Sequence, residues 1–318
     1  MDNRIRARRT QLIFLTVWLA TGCILAAGCS KAVEQKSSPY ALQQNVKAVQ
    51  GAFSREEAVA EKKEDFSASE YEKLGDINFK GGNFEAAFLN YEKAFRISPR
   101  DQTVRCKRAW VLVAGNFNSD AASEFEAILA KNENNASALE GLGQAYFQMK
   151  RYDQAQEQFQ KALAIDSGLW RSRNYLGIIY DHKNQPQQAI QEFLAAIAAE
   201  HDQGILYNNL GMAYTLTGNY NEAVLAFRKA LDLNSPREKT LNNLGIALAK
   251  MGRQEEAHAV FIKAGGEAKA NNNLGCVFMA QGDYAGAAKS FESAARSMPE
   301  SYRQANENLK RCAGPENN

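Results

Sequence analysis

The chain has 318 residues, of which 38 are basic and 36 acidic, with 45% hydrophobic side chains and five cysteines. No block of like charge and no basic stripe runs through it, which argues against a nucleic-acid partner. The formal net charge of +2 comes from the first residues, not from the body of the chain.

Residues 1–28 carry Arg4, Arg6, Arg8 and Arg9 against Asp2 alone, and without them 34 basic and 35 acidic residues remain. After the arginines, an apolar run from Leu12 to Gly28 is interrupted only by small residues and threonine. A positive start followed by such a run reads as a targeting segment. It ends in Leu25-Ala26-Ala27-Gly28-Cys29-Ser30, which resembles a bacterial lipobox. That resemblance implies cleavage after Gly28, acylation of Cys29 and, with Ser30 next, sorting to the periplasmic side of the outer membrane. Ala20-Thr21-Gly22-Cys23 offers a second cysteine behind a shorter core. The alternative is an uncleaved inner-membrane signal anchor facing the periplasm, because the run is near the lower limit for crossing a bilayer. Arg8-Arg9 lacks the rest of a twin-arginine pattern and reads as positive charge.

Residues 29–67 are polar, rich in Gln, Lys, Glu and Ser, and read as the lipidated N-terminus and a tether, partly helical from Ala41 to Ala60. A flexible chain of that length spans on the order of 30–40 Å.

From Tyr71 the sequence becomes periodic. Leu-Gly pairs stand at Leu142-Gly143, Leu176-Gly177, Leu210-Gly211 and Leu244-Gly245, each 34 residues after the last. Leu74-Gly75 extends the register upstream, and Leu274-Gly275 follows after a step shortened to 30. With Gly75 as position 8 of its unit, Ala recurs at positions 20 and 27 and an aromatic residue at position 24, as in Ala223, Phe227 and Ala230. Large apolar residues three and four apart put one buried stripe on each helix. Small residues at 8, 20 and 27 fall where two antiparallel helices come closest. Gly81-Gly82-Asn83, Gly218-Asn219 and Gly282-Asp283 mark the turns between them. The second unit is degenerate, with Arg108 in place of the Leu and Ala109 in place of the Gly.

This pattern resembles the tetratricopeptide repeat. It predicts an all-α fold, an α-solenoid of seven units over 68–101, 102–135, 136–169, 170–203, 204–237, 238–267 and 268–301. A capping helix and C-terminal tail follow over 302–318. Each unit buries its apolar face on its neighbours, and the last one needs a polar cap.

One recurring feature is not required by the helices. The two residues before Leu-Gly are Asn208-Asn209, Asn242-Asn243 and Asn272-Asn273, with Asn174 at the matching place one unit earlier. Asn is a mediocre helix former. The family resemblance places positions 5 and 6 on the concave face, where a row of carboxamides would pair with a peptide backbone irrespective of its sequence. The row looks like the asparagine ladder of the O-GlcNAc transferase repeats, whose catalytic part has no counterpart here. The other reading is that unit duplication copied a polar pair. Arg171, Lys239 and Lys269 at position 2 would favour an acidic or C-terminal carboxylate ligand. Ile178, Met212, Ile246 and Cys276 at position 9 would give the same face an apolar floor.

No catalytic constellation emerges. His182, His201 and His258 fall at unrelated repeat positions, and there is no phosphate loop, nucleophile elbow or zinc spacing. Cys106, Cys276 and Cys312 read as small, unpaired residues without redox or metal roles. The tail after the cap is too short for a catalytic domain. A non-enzyme is expected, with no cofactor, metal or small-molecule substrate. The order of lipobox, tether and repeats resembles the TadD-type lipoproteins of tight-adherence (Flp) pilus assembly. That likeness implies an assembly or pilotin-like adaptor binding a secretin or another envelope protein. The alternative is an NlpI-like adaptor that docks peptidoglycan-processing enzymes. Genomic neighbours would separate the two.

Overall fold

The computed structural model describes residues 66–297 and 302–312. The targeting segment, Cys23, Cys29 and the tether as far as residue 65 lie outside the described residues. Among the described residues every regular element is a helix. They run α1 (Ala68–Lys80), α2 (Phe84–Ile97), α3 (Gln102–Ala114), α4 (Asn118–Leu129), α5 (Ala136–Gln148), α6 (Tyr152–Ile165), α7 (Trp170–His182), α8 (Pro186–Ala199), α9 (Gly204–Leu216), α10 (Tyr220–Asp232), α11 (Arg237–Lys250), α12 (Gln254–Gly265), α13 (Glu267–Gln281), α14 (Tyr284–Ser297) and α15 (Tyr302–Cys312). Odd-numbered helices up to α13 open a repeat and even-numbered ones close it. The helices fall into two compact bodies, one ending at Lys183 and the other starting at Asn184.

The period is visible in the backbone. A residue with positive φ recurs at 82, 116, 150, 184, 218, 252 and 282, inside the turn of every helix pair. Four of these are Gly; Asn116 and Asn184 are among the side chains that tolerate this conformation best, while Lys150 is not. The N-caps keep the same period in the first body. Ser67 accepts from the Glu70 amide at 3.3 Å, and Glu70 Oε2 accepts from the Ser67 amide at 2.8 Å. Asp101 Oδ1 accepts from the Thr103 amide at 2.8 Å, and Asn135 Oδ1 from the Ala138 amide at 3.0 Å. These contacts satisfy amides that a helix start leaves without partners. The step shortened to 30 is taken up between α12 and α13, which Gly266 alone joins.

Packing explains the small residues. Phe159, Phe193, Phe227, Phe261 and Phe291 are fully buried, as are Ala155, Ala189, Ala223, Ala257 and Ala287 four residues before each. A Cβ added to Gly143, Gly211, Gly245 or Gly275 would stand 2.8, 2.6, 2.5 or 2.6 Å from the ring of its own unit's position-24 phenylalanine. The Leu-Gly glycine is therefore the space occupied by an aromatic ring. In the second unit Ala109 fills that place, and the ring of Phe125 presses instead on Gly141 of the next unit.

Arg108, the sequence anomaly, is the centre of an ion cluster. Its guanidinium meets Glu92 of α2, reaches Glu124 of α4 at 2.9 Å and lies 4.8 Å over the ring of Phe95. Arg105 adds a 2.8 Å contact to Glu124. Burial alone would raise the Glu124 carboxyl, but Arg108 and Arg105 outweigh it and hold it below its ordinary range. A charge network thus joins α2, α3 and α4 where other units use leucine.

One carboxylate has no such support. Asp181 near the end of α7 has a buried Oδ1 without a hydrogen-bond partner, and burial pushes its carboxyl up to about 7. A raised acid favours the protonated folded state, so stability is full below the unfolded pKa near 4 and falls as pH rises toward 7. Asp181→Asn is expected to melt above the wild type at pH 8 and level with it near pH 4. An equal difference at both pH values in thermal melts would show that Asp181 does not titrate in this way.

Candidate interaction seam

The repeat-opening helices place polar residues against one another from unit to unit. Lys107 at position 6 of α3 donates to Glu72 at position 5 of α1, at 2.7 Å, and to Asp76 at 2.8 Å. Asn243 of α11 donates to Oδ1 of Asn208 on α9 at 3.1 Å, and Asn273 of α13 to Oδ1 of Asn242 on α11 at 3.0 Å. All three rungs join position 6 of one unit to position 5 of the unit before. Asn308 of the cap helix α15 continues them, donating to Oδ1 of Asn272 at 3.1 Å. Related contacts at position 5 use other partners. Ser172 donates to the buried Glu140 at 3.0 Å, and Cys106 Sγ lies 3.4 Å from Ser137 Oγ, which also accepts from Trp110 Nε1 at 3.1 Å. Burial pushes the Glu140 carboxyl up, against the pull of Ser172.

The asparagines singled out in the sequence therefore form a seam in the second body. Asn208 is 1% exposed, and its amide also reaches Asn209 Oδ1 at 3.4 Å. Asn209, Asn242, Asn243, Asn272 and Asn273 are half-buried, and so is Asn174 on α7 in the first body. A carboxamide has two N–H donors and an oxygen with two lone pairs. The amide of Asn208 also reaches Met212 Sδ at 3.7 Å, so both its oxygen and its nitrogen are engaged within the protein, whereas the rung between Asn242 and Asn273 uses one donor and one acceptor.

The cations at position 2 differ among themselves. Arg171 is exposed and stacks 4.6 Å over the ring of Trp170, and Lys239 is exposed. Lys269 lies 3.4 Å from Glu238, so its charge is already shared. At position 9, Met212 is 37% exposed, Ile178 and Ile246 are half-buried and Cys276 is 1% exposed. Within the second body the exposure of this position falls from Met212 through Ile246 to Cys276.

The histidines do not converge. His182 stacks on Tyr152, His201 sits beside Asp202, and His258 faces Asn271 at 3.0 Å. Among the described residues there is no group of three or more His, Cys, Asp or Glu that could hold a metal. None of the described helices is long and apolar enough to cross a membrane.

Sequence reasoning did not find Lys107, Glu72, Glu140, Ser172 or Asn308. Their signal is a pair of polar residues 31 to 36 apart on successive repeat-opening helices, which a search for recurring residue types does not detect.

Tetratricopeptide repeat models match residues 71–101, 106–169, 205–235 and 242–302, together more than half of the chain. The chain belongs to the tetratricopeptide-repeat family. Arrays of this repeat are interaction scaffolds, in general non-catalytic, and family membership implies protein partners. Solved structures agree on the fold. A tetratricopeptide repeat protein from Parabacteroides merdae is 16% identical with a TM-score of 0.51, covering 78% of this chain and 99% of its own. Pseudomonas aeruginosa pilF is 22% identical with a TM-score of 0.55, covering 61% of this chain and 88% of its own. The anaphase-promoting-complex assembly Cut9–Hcn1 is 17% identical with a TM-score of 0.55, covering 86% and 52%. No curated protein sequence matches the chain.

Proposed function

We propose that this tetratricopeptide-repeat protein is a lipid-anchored adaptor of the bacterial envelope. In this reading it belongs to the assembly machinery of a pilus or secretion system, and takes extended peptide segments of its partners along the asparagine seam. The observation that carries the reading is the junction Leu25-Ala26-Ala27-Gly28-Cys29 at the end of the one long apolar run, followed by a polar stretch and then by the array. Cys29 is the lipidation site and the polar stretch is the tether. The array then faces the periplasm from the outer membrane. The TadD-type resemblance of this order suggests a secretin or another assembly component as partner. The half-buried carboxamides of Asn242, Asn243 and Asn273, beside exposed Met212, suit an extended and partly apolar segment.

Cys29→Ala is expected to abolish processing and acyl labelling and to release the protein from the outer-membrane fraction, whereas Cys23→Ala leaves all three intact. The converse pattern would move the anchor to Cys23, and retention of both variants uncleaved in the inner membrane would replace the lipid anchor with a signal anchor. Capture of a secretin from solubilised envelopes supports the assembly role. Capture of a cell-wall hydrolase in its place would make the chain an NlpI-like adaptor.

A further inference from the structure

Two of the three array cysteines share one apolar cluster. Cys276 on α13 is 1% exposed and packs with Phe278, Ala287 and Phe291; Cys312 on α15 packs against the same cluster. Helices α13 and α15 are held in register by the Asn308–Asn272 contact at 3.1 Å. Cys276 is four residues after Asn272, and Cys312 four residues after Asn308. Residues four apart lie on the same helix face, one turn on. The sulfur of Cys276 is turned toward α15, because the amide of Asn308 reaches it at 3.9 Å. Each thiol thus stands one helical turn beyond its own end of the rung, and both touch the same apolar cluster. Cys106 belongs to the other body.

We propose that Cys276 and Cys312 form a disulfide that locks the cap helix onto the last repeat. Both are thiols in the structure, and pairing requires the two Cα atoms to come within about 7 Å. The oxidant is a disulfide, either glutathione disulfide or the active-site disulfide of a thiol oxidase. One cysteine thiolate attacks it to give a mixed disulfide and release the first thiolate. The second cysteine then displaces the other half. Two S–H bonds become one S–S bond, two electrons reduce the incoming disulfide, and the two protons end on the released thiols. Burial raises the Cys312 thiol above its ordinary range, so the first step is slow at neutral pH and accelerates in alkali. The closed loop contains α14 and α15, so the bond restrains the last elements of the array, where fraying would begin. Oxidation in the cell rests on the periplasmic reading above; pairing in the purified protein does not.

The test uses the full chain carrying Cys23→Ala and Cys29→Ala, which leaves three thiols. After incubation with glutathione disulfide at alkaline pH, thiol counting on the denatured protein is expected to fall from three to one. A linked peptide pair containing Cys276 and Cys312 should appear in the protease digest, with the protein monomeric on a non-reducing gel. Cys276→Ser and Cys312→Ser should each abolish the linked pair, whereas Cys106→Ser should leave it. Proteolytic removal of α15 should slow by roughly tenfold on oxidation and recover with reductant. Three remaining thiols, stable glutathione adducts on both cysteines, or a Cys312-linked dimer would overturn the assignment. If the purified protein forms the bond but the protein from cells lacks it, the pairing stands and the compartment reading fails.

Discussion

Ala257→Leu is expected to destabilise the array by about 1–3 kcal/mol, while Ala259→Leu two residues later changes little. Ala257 is fully enclosed and Ala259 is exposed, though both stand on α12. Ala and Leu have nearly equal helix propensity, so the difference isolates packing. The three added carbons at 257 enter the tight region where Phe261 is fully buried and its ring already takes the space of a Cβ at Gly245. Admitting them requires the ring or the helix to move. Thermal and denaturant unfolding of the two variants measures the effect. Equal shifts would show that position 20 is not the point of closest approach. Because each repeat is stabilised mainly by its neighbours, hydrogen exchange should place the loss around α11 to α13 and leave the first body unchanged.

That contrast could be set up from the sequence because the repeat reports its own packing. Gly at position 8, Ala at 20 and a ring at 24 recur together, and all three are consequences of one contact between two helices. The turns at Gly82, Gly218 and Gly282 were legible for a related reason, since a left-handed residue is needed once per pair and Gly or Asn supplies it in all but one. The 30-residue step was also visible, although its location in the single-residue link at Gly266 was not, because either helix could have lost a turn. Arg108 looked like decay of the pattern. The cluster with Glu92, Glu124 and Phe95 shows a substitution compensated on two neighbouring helices, and compensation of that kind has no period to reveal it.

The asparagines are the instructive case. Their repetition was legible, and so was their presence on the repeat-opening helices. Their partners were not, because a rung joins position 6 to position 5 of another unit, and both positions carry the same residue type. From the sequence alone these carboxamides would be free to meet a ligand, and removing them would barely change stability. The structure shows that Asn243 and Asn273 already serve Asn208 and Asn242. The triple variant Asn209→Ala, Asn243→Ala, Asn273→Ala is therefore expected to lose stability as well as binding. An acceptor deprived of its donor when buried costs about 1–3 kcal/mol, and Asn208 is the most deeply buried of the set.

Binding by the asparagine seam must therefore be tested by a variant that removes a rung without orphaning half of it. Asn243→Ala alone leaves Asn208 Oδ1 without its 3.1 Å donor and should lower the melting temperature. Asn208→Ala combined with Asn243→Leu removes both carboxamides and keeps the seam filled. Replacing both partners with apolar groups is close to neutral, so this double variant should recover most of the loss. The coupling between the two sites measures the rung itself. With stability restored, capture of envelope proteins reports only on the ligand. If the carboxamides grip a peptide backbone, the double variant loses one that can reach it, that of half-buried Asn243, at about 0.5–1.5 kcal/mol, which predicts up to about tenfold weaker binding. A double variant that is stable and still captures the wild-type partners at full strength would leave the asparagines as a spine that holds successive repeats in register. A stable variant that captures nothing would show that one row of side chains both fixes the repeats and reads the ligand.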